Sequence, residues 1–202
     1  MKKWQKFFEK NNGNNFPNQS LIIFFYRHIY KLKKKKIDIL DLGCGTGSTL
    51  KLIKKNSFYI DLVDISKSAL KRIKEKKNIK TYNMNFNEFL EFSKKKYDLI
   101  IDSTSLQHQT EEEIKKSFTL INKNLKTKGY FFSININESR GINDNSFYVT
   151  KLKKKKLLNL FKLCKLKKVD YNTYNYTEDN SKNYIKFNVI TGQKFNNKAI
   201  KN

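Results

Sequence analysis

Three glycines alternate directly behind an aspartate at the end of an apolar run, I-D-I-L-D-L-G-C-G-T-G, residues 37–47. The whole chain has only 7 glycines, so this cluster needs a local reason. Glycine admits positive φ in a tight turn and leaves bare backbone for a close approach. An ordinary strand-to-helix turn needs one such residue. An Asp followed by G-x-G-x-G fits a turn that cradles a nucleotide-type ligand at a helix start. The spacing departs from the dinucleotide pattern G-x-G-x-x-G, because Ser48 stands where the last glycine would be. About 20 residues further on, Asp64 in L-V-D-I-S ends a second apolar run, and a carboxylate there can accept both hydroxyls of a ribose. Elsewhere, side chains that could do chemistry are few. The only histidines are His28 and His108, and the two cysteines, Cys44 and Cys164, have neither metal-ligand nor disulfide spacing.

Alternating elements must position these residues. Ile37 to Leu42, Phe58 to Val63, residues 79–84, Tyr97 to Asp102 and Tyr130 to Asn135 are short, largely apolar runs, the pattern of strands buried on both faces. Between them the spacing predicts helices over 18–32, entered through Pro17, over 48–55, after a Ser66 cap with Ala69, Leu70 and Ile73 on one face, and after Thr110. Thr110 and Glu113 form a capping box ahead of Ile114, Phe118, Ile121 and Leu125, with Gly129 as the stop signal. Thr150 opens a late helix carrying Leu157, Leu160, Phe161 and Cys164. Two alternating segments, Val169 to Tyr174 and Tyr184 to Ile190, follow with a hairpin-like connection at 173–183. The expected architecture is α/β: a doubly wound, mostly parallel sheet with helices on both faces and an antiparallel last strand. A ligand then sits beyond the carboxyl ends of the strands, where D-L-G-C-G-T-G falls.

I-L-D-L-G-C-G-T-G-S-T-L, L-V-D-I-S-K-S-A-L and Y-D-L-I-I-D-S-T-S-L-Q-H together resemble the class I S-adenosylmethionine-dependent methyltransferases, from about residue 37 to 135. The resemblance implies a seven-stranded sheet and S-adenosylmethionine as cofactor. It implies that Asp41, Gly43, Cys44, Gly45 and Gly47 wrap the methionine part. It implies that Asp64, with Ile65 beside it, grips the ribose, and that Asn85 and Phe86 meet the adenine, Asn85 standing where that family often has Asp. His108, after the fourth strand, is a candidate base or acceptor-orienting group, with packing beside the cofactor turn as the plainer reading; His28 reads as structural. Phe147 and Tyr148 are the aromatics expected on the acceptor side. No metal is implied. The chain reads as one domain, 1–202: an N-terminal helical acceptor-side segment (1–34), a cofactor-binding core (35–135), an acceptor-side loop with the late helix and last two strands (136–192), and a frayed tail (193–202).

The formal net charge of +25 raises nucleic acid as a partner. Nearly all of it is lysine, with arginine only at 27, 72 and 140, whereas phosphate and base recognition favours arginine. Lysine together with abundant Asn, Ile, Phe and Tyr is also what an AT-rich coding sequence produces. After the fourth strand there is no N/D-P-P-Y/F motif, and neither cysteine follows a proline, so two nucleic-acid methylation chemistries lack their residues. A small-molecule acceptor is therefore the leading expectation. The pattern W…F-P-N-Q-S-L-I-I-F-F and the F-Y-V-T-K lead-in are similar to enzymes of sugar and surface-polysaccharide synthesis. An RNA methyltransferase and a non-enzymatic binding protein on the same fold are the alternatives. The longest apolar run, L-I-I-F-F-Y, is too short to span a membrane, and a cytoplasmic protein is expected.

Overall fold

The computed structural model describes residues 2–140, 147–178 and 183–195. Its elements are α1 (Lys2–Lys10), α2 (Gln19–Phe24), β1 (Ile37–Leu42), β2 (Phe58–Asp64), α3 (Lys67–Leu70), β3 (Ile79–Asn83), α4 (Phe86–Phe92), β4 (Tyr97–Ser103), α5 (Glu111–Asn124), β5 (Leu125–Arg140), α6 (Lys154–Leu163), β6 (Leu166–Glu178) and β7 (Asn183–Lys194). They form one 7-stranded sheet in the order β3-β2-β1-β4-β5-β7-β6. β7 runs antiparallel between β5 and β6, and the pairs among β1 to β5 are parallel. The expected α/β sheet is thus what the chain forms.

Period-two alternation divides the core. Ile37, Ile39, Ile60, Leu62, Leu99 and Ile101 face one side, where Leu21, Phe24, Phe25 and Ile29 cover them. Leu40, Leu42, Val63 and Ile100 face the other, under Phe89 and Leu90 of α4, Ile114, Phe118 and Ile121 of α5, and Leu157, Leu160 and Phe161 of α6. Every residue of β1 is buried, its two aspartates included.

Several boundaries differ from expectation. The helix at 18–32 is α2, capped by Asn18 rather than started at Pro17, continuing as a π turn over Phe25–Ile29. Residues 48–55 form only a 3-10 turn, Ser48–Leu52, because Gly47 enters it left-handed. Ser66 caps α3 as expected, yet that helix ends at Leu70 and Ile73 is buried beyond it. The Thr110–Glu113 capping box is present. α5 then stops at Asn124, and Gly129 lies inside β5, where a Cβ would come within 2.8 Å of the carbonyls of Lys126 and Tyr97. Thr150 does not open α6, whose cap position is Lys153; its hydroxyl donates to the Gln109 carbonyl instead. β6 and β7 are longer than the alternating segments that announced them. The hairpin connection at 179–182 and tail residues 196–202 fall outside the described residues, whereas 193 and 194 belong to β7.

Among the described residues no helix is long and apolar enough to cross a membrane. Lysines near the amino ends of the strands are partly neutralised there. Lys34 and Lys126 pair with Asp98, Lys36, Lys95 and Lys126 with Asp38, and Lys95 with Asp61. This network lies at the edge of the sheet opposite the glycine turn.

Candidate active site

The turn after β1 is tied to the end of β2: the N–H groups of Gly43 and Cys44 both donate to the Val63 carbonyl, at 2.8 and 3.1 Å. Gly43, Gly45 and Gly47 all have positive φ, at 66°, 53° and 80°. Their surroundings differ. A Cβ on Gly43 would sit 2.2 Å from the Ser105 hydroxyl oxygen, and one on Gly47 would meet Ile73 at 3.0 Å. The bare sides of Gly43 and Gly47 are therefore filled by protein, and Gly47 does not line the cleft. Gly45 is the one that faces it, with the Phe8 ring 3.2 Å from its would-be Cβ.

Three buried carboxylates end the central strands. Asp41 accepts the Thr49 hydroxyl at 2.5 Å. Asp64 accepts the N–H groups of Gly45 and Ser66, each at 2.8 Å, so it clamps the glycine turn as well as facing the cleft. Asp102, to which the sequence reading gave no role, accepts the Ser105 and Leu106 N–H groups at 2.9 Å and the Ser133 hydroxyl at 2.6 Å. It thereby folds the loop after β4. Burial pushes Asp41 up to about 7, helped by the neighbouring Asp102 and Asp64 charges. Burial likewise pushes Asp102 up to about 6 and raises Asp64. The Cys44 thiol is raised by burial and by Asp41 and Asp64, which leaves it unreactive.

These shifts set a pH dependence. The folded state holds protons on Asp41, Asp64 and Asp102 more tightly than the unfolded chain. Stability therefore falls as pH rises from the ordinary carboxylate range to the raised values, by up to about 1.4 kcal/mol per pH unit per group. Asp38 and Asp98 oppose this at the acid end. Burial disfavours their charge, but hydrogen bonds from Lys126, with other lysines, outweigh it and hold both carboxyls low, so their contribution is lost only below that range. Thermal melts are expected to show greatest stability near pH ~5 and a lower Tm at pH ~8. A Tm that climbs steadily from pH ~5 to ~8 would contradict the buried carboxylate cluster.

A cleft of about 330 Å³ opens over these groups at the carboxyl ends of β1, β2 and β4, within the size range of cofactor sites. Asp41, Gly43, Cys44, Gly45, Asp64, Ile65, Asn85 and Phe86 all line it. Asn85 is also the cap of α4, its Oδ1 accepting the Asn87 N–H at 2.8 Å, so one lone pair is already committed. Ser103, Thr104 and Ser105 form the floor beyond β4. Thr104 has φ 69°, a conformation costly for a β-branched residue and held here by its N–H bond to the Ile134 carbonyl.

The far end of the cleft is aromatic. His108 lines it, its Nδ1 lying 2.8 Å from the Tyr148 carbonyl oxygen. Trp4, Phe7 and Phe8 of α1 line it too, and sequence reasoning missed them, although their i, i+3, i+4 spacing is a helical signal. Phe147 stands behind them, stacked on Trp4 with ring centres 4.1 Å apart and 6.0 Å from His108. Tyr148 does not join: it is 60% exposed, with its hydroxyl 3.3 Å from that of Thr150. His28 lies apart from the cleft, packed against Phe24 and Tyr130. α1 is held down by α3 and by Arg72 in the turn after it. Arg72 donates to the carbonyls of Phe8 and Asn11 at 2.7 and 2.9 Å, and Gln5 bonds the Ser68 hydroxyl and accepts the Ser68 N–H at 3.1 Å.

Three kinds of likeness were tested. No curated protein matches the chain. Among solved structures, TehB from Haemophilus influenzae superposes with a TM-score of 0.72 at 15% identity, covering 95% of this chain and 67% of that one. The 1,6-didemethyltoxoflavin-N1-methyltransferase of Burkholderia thailandensis, solved with 1,6-didemethyltoxoflavin and S-adenosylhomocysteine, gives a TM-score of 0.66 at 17% identity, covering 88% and 78%. The [4+2]-cyclase SpnF also gives 0.66, at 12% identity, covering 92% and 85%. At such identities the likeness establishes the fold, and the cyclase is a reminder that one fold hosts several chemistries. The decisive match is to a family model described as a methyltransferase domain, over residues 39–129. That segment runs from β1 through the glycine turn, Asp64 and the loop after β4 into β5. Residues 39–129 therefore carry a methyltransferase domain, and its cofactor is S-adenosylmethionine.

Proposed function

We propose that the chain transfers a methyl group to a small-molecule acceptor held at the aromatic end of the cleft. One observation supports this above others: among the described residues lining the cleft there is no lysine or arginine, in a chain of net charge +25. A nucleic-acid substrate brings phosphates that need cations near the reacting base.

In this reading Asp41 and the Gly43, Cys44 and Gly45 backbone hold the methionine part, with Gly47 supporting the turn from behind. Asp64 and Ile65 hold the ribose; Asn85 and Phe86 meet the adenine. When bound, the cofactor supplies a methyl group already activated by its sulfonium. The protein's task is then alignment and exclusion of water. α1 does the second by covering the cleft. With Nδ1–H donating to the Tyr148 carbonyl, His108 carries its lone pair on Nε2, the tautomer that can take a proton from an acceptor hydroxyl or amine. Phe147 backs the acceptor wall, and Tyr148 contributes through its carbonyl.

The test is methyl incorporation from labelled S-adenosylmethionine, at physiological salt, into a small-metabolite fraction and into RNA of the source cell. Saturable labelling of the small fraction is expected; labelling of one RNA site with none in the small fraction would reverse the reading. Once an acceptor is found, His108→Gln should lower kcat by roughly 100-fold or more, with the cofactor KM changed little. An unchanged kcat would leave His108 as a packing residue.

A further inference from the structure

The acceptor end of the cleft offers much ring surface. Trp4 and Phe7 line it beside His108, with the Trp4 and His108 ring centres 4.9 Å apart, edge to face. Three of its polar side chains give their hydrogens to backbone carbonyls. Thr104 donates to Ser103 at 2.5 Å, Ser105 to Gly43 at 3.1 Å, and His108 to Tyr148 at 2.8 Å. Among the described residues the only carboxylates lining the cleft are Asp41 and Asp64, at the cofactor end, and both already accept hydrogen bonds from the protein.

We propose that the acceptor is an uncharged, flat aromatic or heteroaromatic molecule bearing its nucleophilic oxygen or nitrogen on the ring, gripped by Trp4 and Phe7. This rests on the small-molecule reading above and narrows it. Each alternative meets a missing partner. A sugar needs a dense set of directional donors and acceptors, and three of the donors here, on Thr104, Ser105 and His108, are spent on the protein's own backbone. A phosphorylated or nucleotide-linked sugar also needs a cation, and none lines the cleft among the described residues. A cationic amine needs a carboxylate at this end, where there is none among the lining residues. A flat ring needs stacking area and one or two polar contacts, and stacking is what Trp and Phe walls supply.

Trp4 is in near-parallel contact with Phe147 behind it, interplanar angle 23°, which holds the plane of its ring. During transfer, the acceptor's lone pair forms the new bond to the methyl carbon. The electron pair of the broken sulfur–carbon bond stays on sulfur, leaving S-adenosylhomocysteine, and the acceptor's proton passes to His108 or to water.

Trp4 is the only tryptophan in the chain, so its emission reports on this wall alone. Binding of S-adenosylhomocysteine is measured first by calorimetry. Quinolin-4-ol, catechol, 2-aminopyridine, methyl glucoside and UDP-glucose are then titrated into the loaded protein. At least one flat probe is expected to quench Trp4 emission saturably, at least about tenfold more tightly than either sugar. By calorimetry, Trp4→Ala or Phe7→Ala should weaken that probe about tenfold or more, while Trp4→Phe, which keeps a ring, stays within about threefold. The proposal is overturned if S-adenosylhomocysteine binds but no flat probe does, if a sugar binds more tightly, or if Trp4→Ala leaves the flat probe's affinity unchanged in a folded protein. Failure of S-adenosylhomocysteine itself to bind would instead remove the methyltransferase reading, and this proposal with it.

Discussion

Asp64→Ala is expected to weaken S-adenosylhomocysteine binding by about 3 kcal/mol, roughly two orders of magnitude. Two losses combine. The ribose loses a charged acceptor, a contact on the scale of 1.5–3 kcal/mol by general experience (about). The glycine turn loses the clamp that the carboxylate places on the Gly45 and Ser66 N–H groups. The effect on folding should be smaller, because two contributions oppose. Leaving those N–H groups unpaired costs stability, while removing a buried carboxylate whose protonation is favoured relieves it at neutral pH. Calorimetry beside a thermal melt separates the two. Asp64→Asn, which keeps one acceptor oxygen, should fall between wild type and alanine. Unchanged affinity in a folded Asp64→Ala protein would take this residue out of the ribose site.

Gly43→Ala should cost about 2–4 kcal/mol of stability. The left-handed φ of 66° is strained for any residue with a Cβ, and this one would press to 2.2 Å from the Ser105 oxygen and 2.5 Å from its Cβ. Ser105 cannot yield freely. Its N–H is held by Asp102 and its hydroxyl by the Gly43 carbonyl. Adding Ser105→Gly should recover the clash but not the backbone strain, a coupling of at least about 1 kcal/mol in a double-mutant cycle by urea unfolding. Equal midpoints for Gly43→Ala and wild type would mean that the turn adopts another conformation in solution.

The site was partly legible because its signals are local. An Asp and three glycines within seven positions, a second Asp at the next strand's end and runs of apolar residues between lysines are read by near neighbours, and the turn, both acids and the strands stand where that pattern puts them. The same locality explains the errors. Asn85 lines the cleft and is a helix cap as well, a second role that was not read because the α4 pattern of Phe86, Phe89 and Leu90 behind it went unread. Gly129 looked like a helix stop, and its real constraint is two carbonyls, one of them across the sheet on β4.

What the sequence by itself determined is the class of sheet, the position of the glycine turn and the pair of acids Asp41 and Asp64 that flank it. These follow from periodicity and from the backbone conformations open to glycine, which neighbouring residues impose on one another. Only the tertiary structure decided which glycine has its bare side toward the cleft, what fills the space beside the others, and which aromatic rings wall the cleft's far end. Gly43 and Ser105 lie 62 positions apart, and Gln5 reaches Ser68 across 63. Such contacts arise when strands from distant parts of the chain come into register and a terminal helix docks over them. Burial then raises the carboxylates, and a lysine-rich chain closes its cleft with aromatic rings.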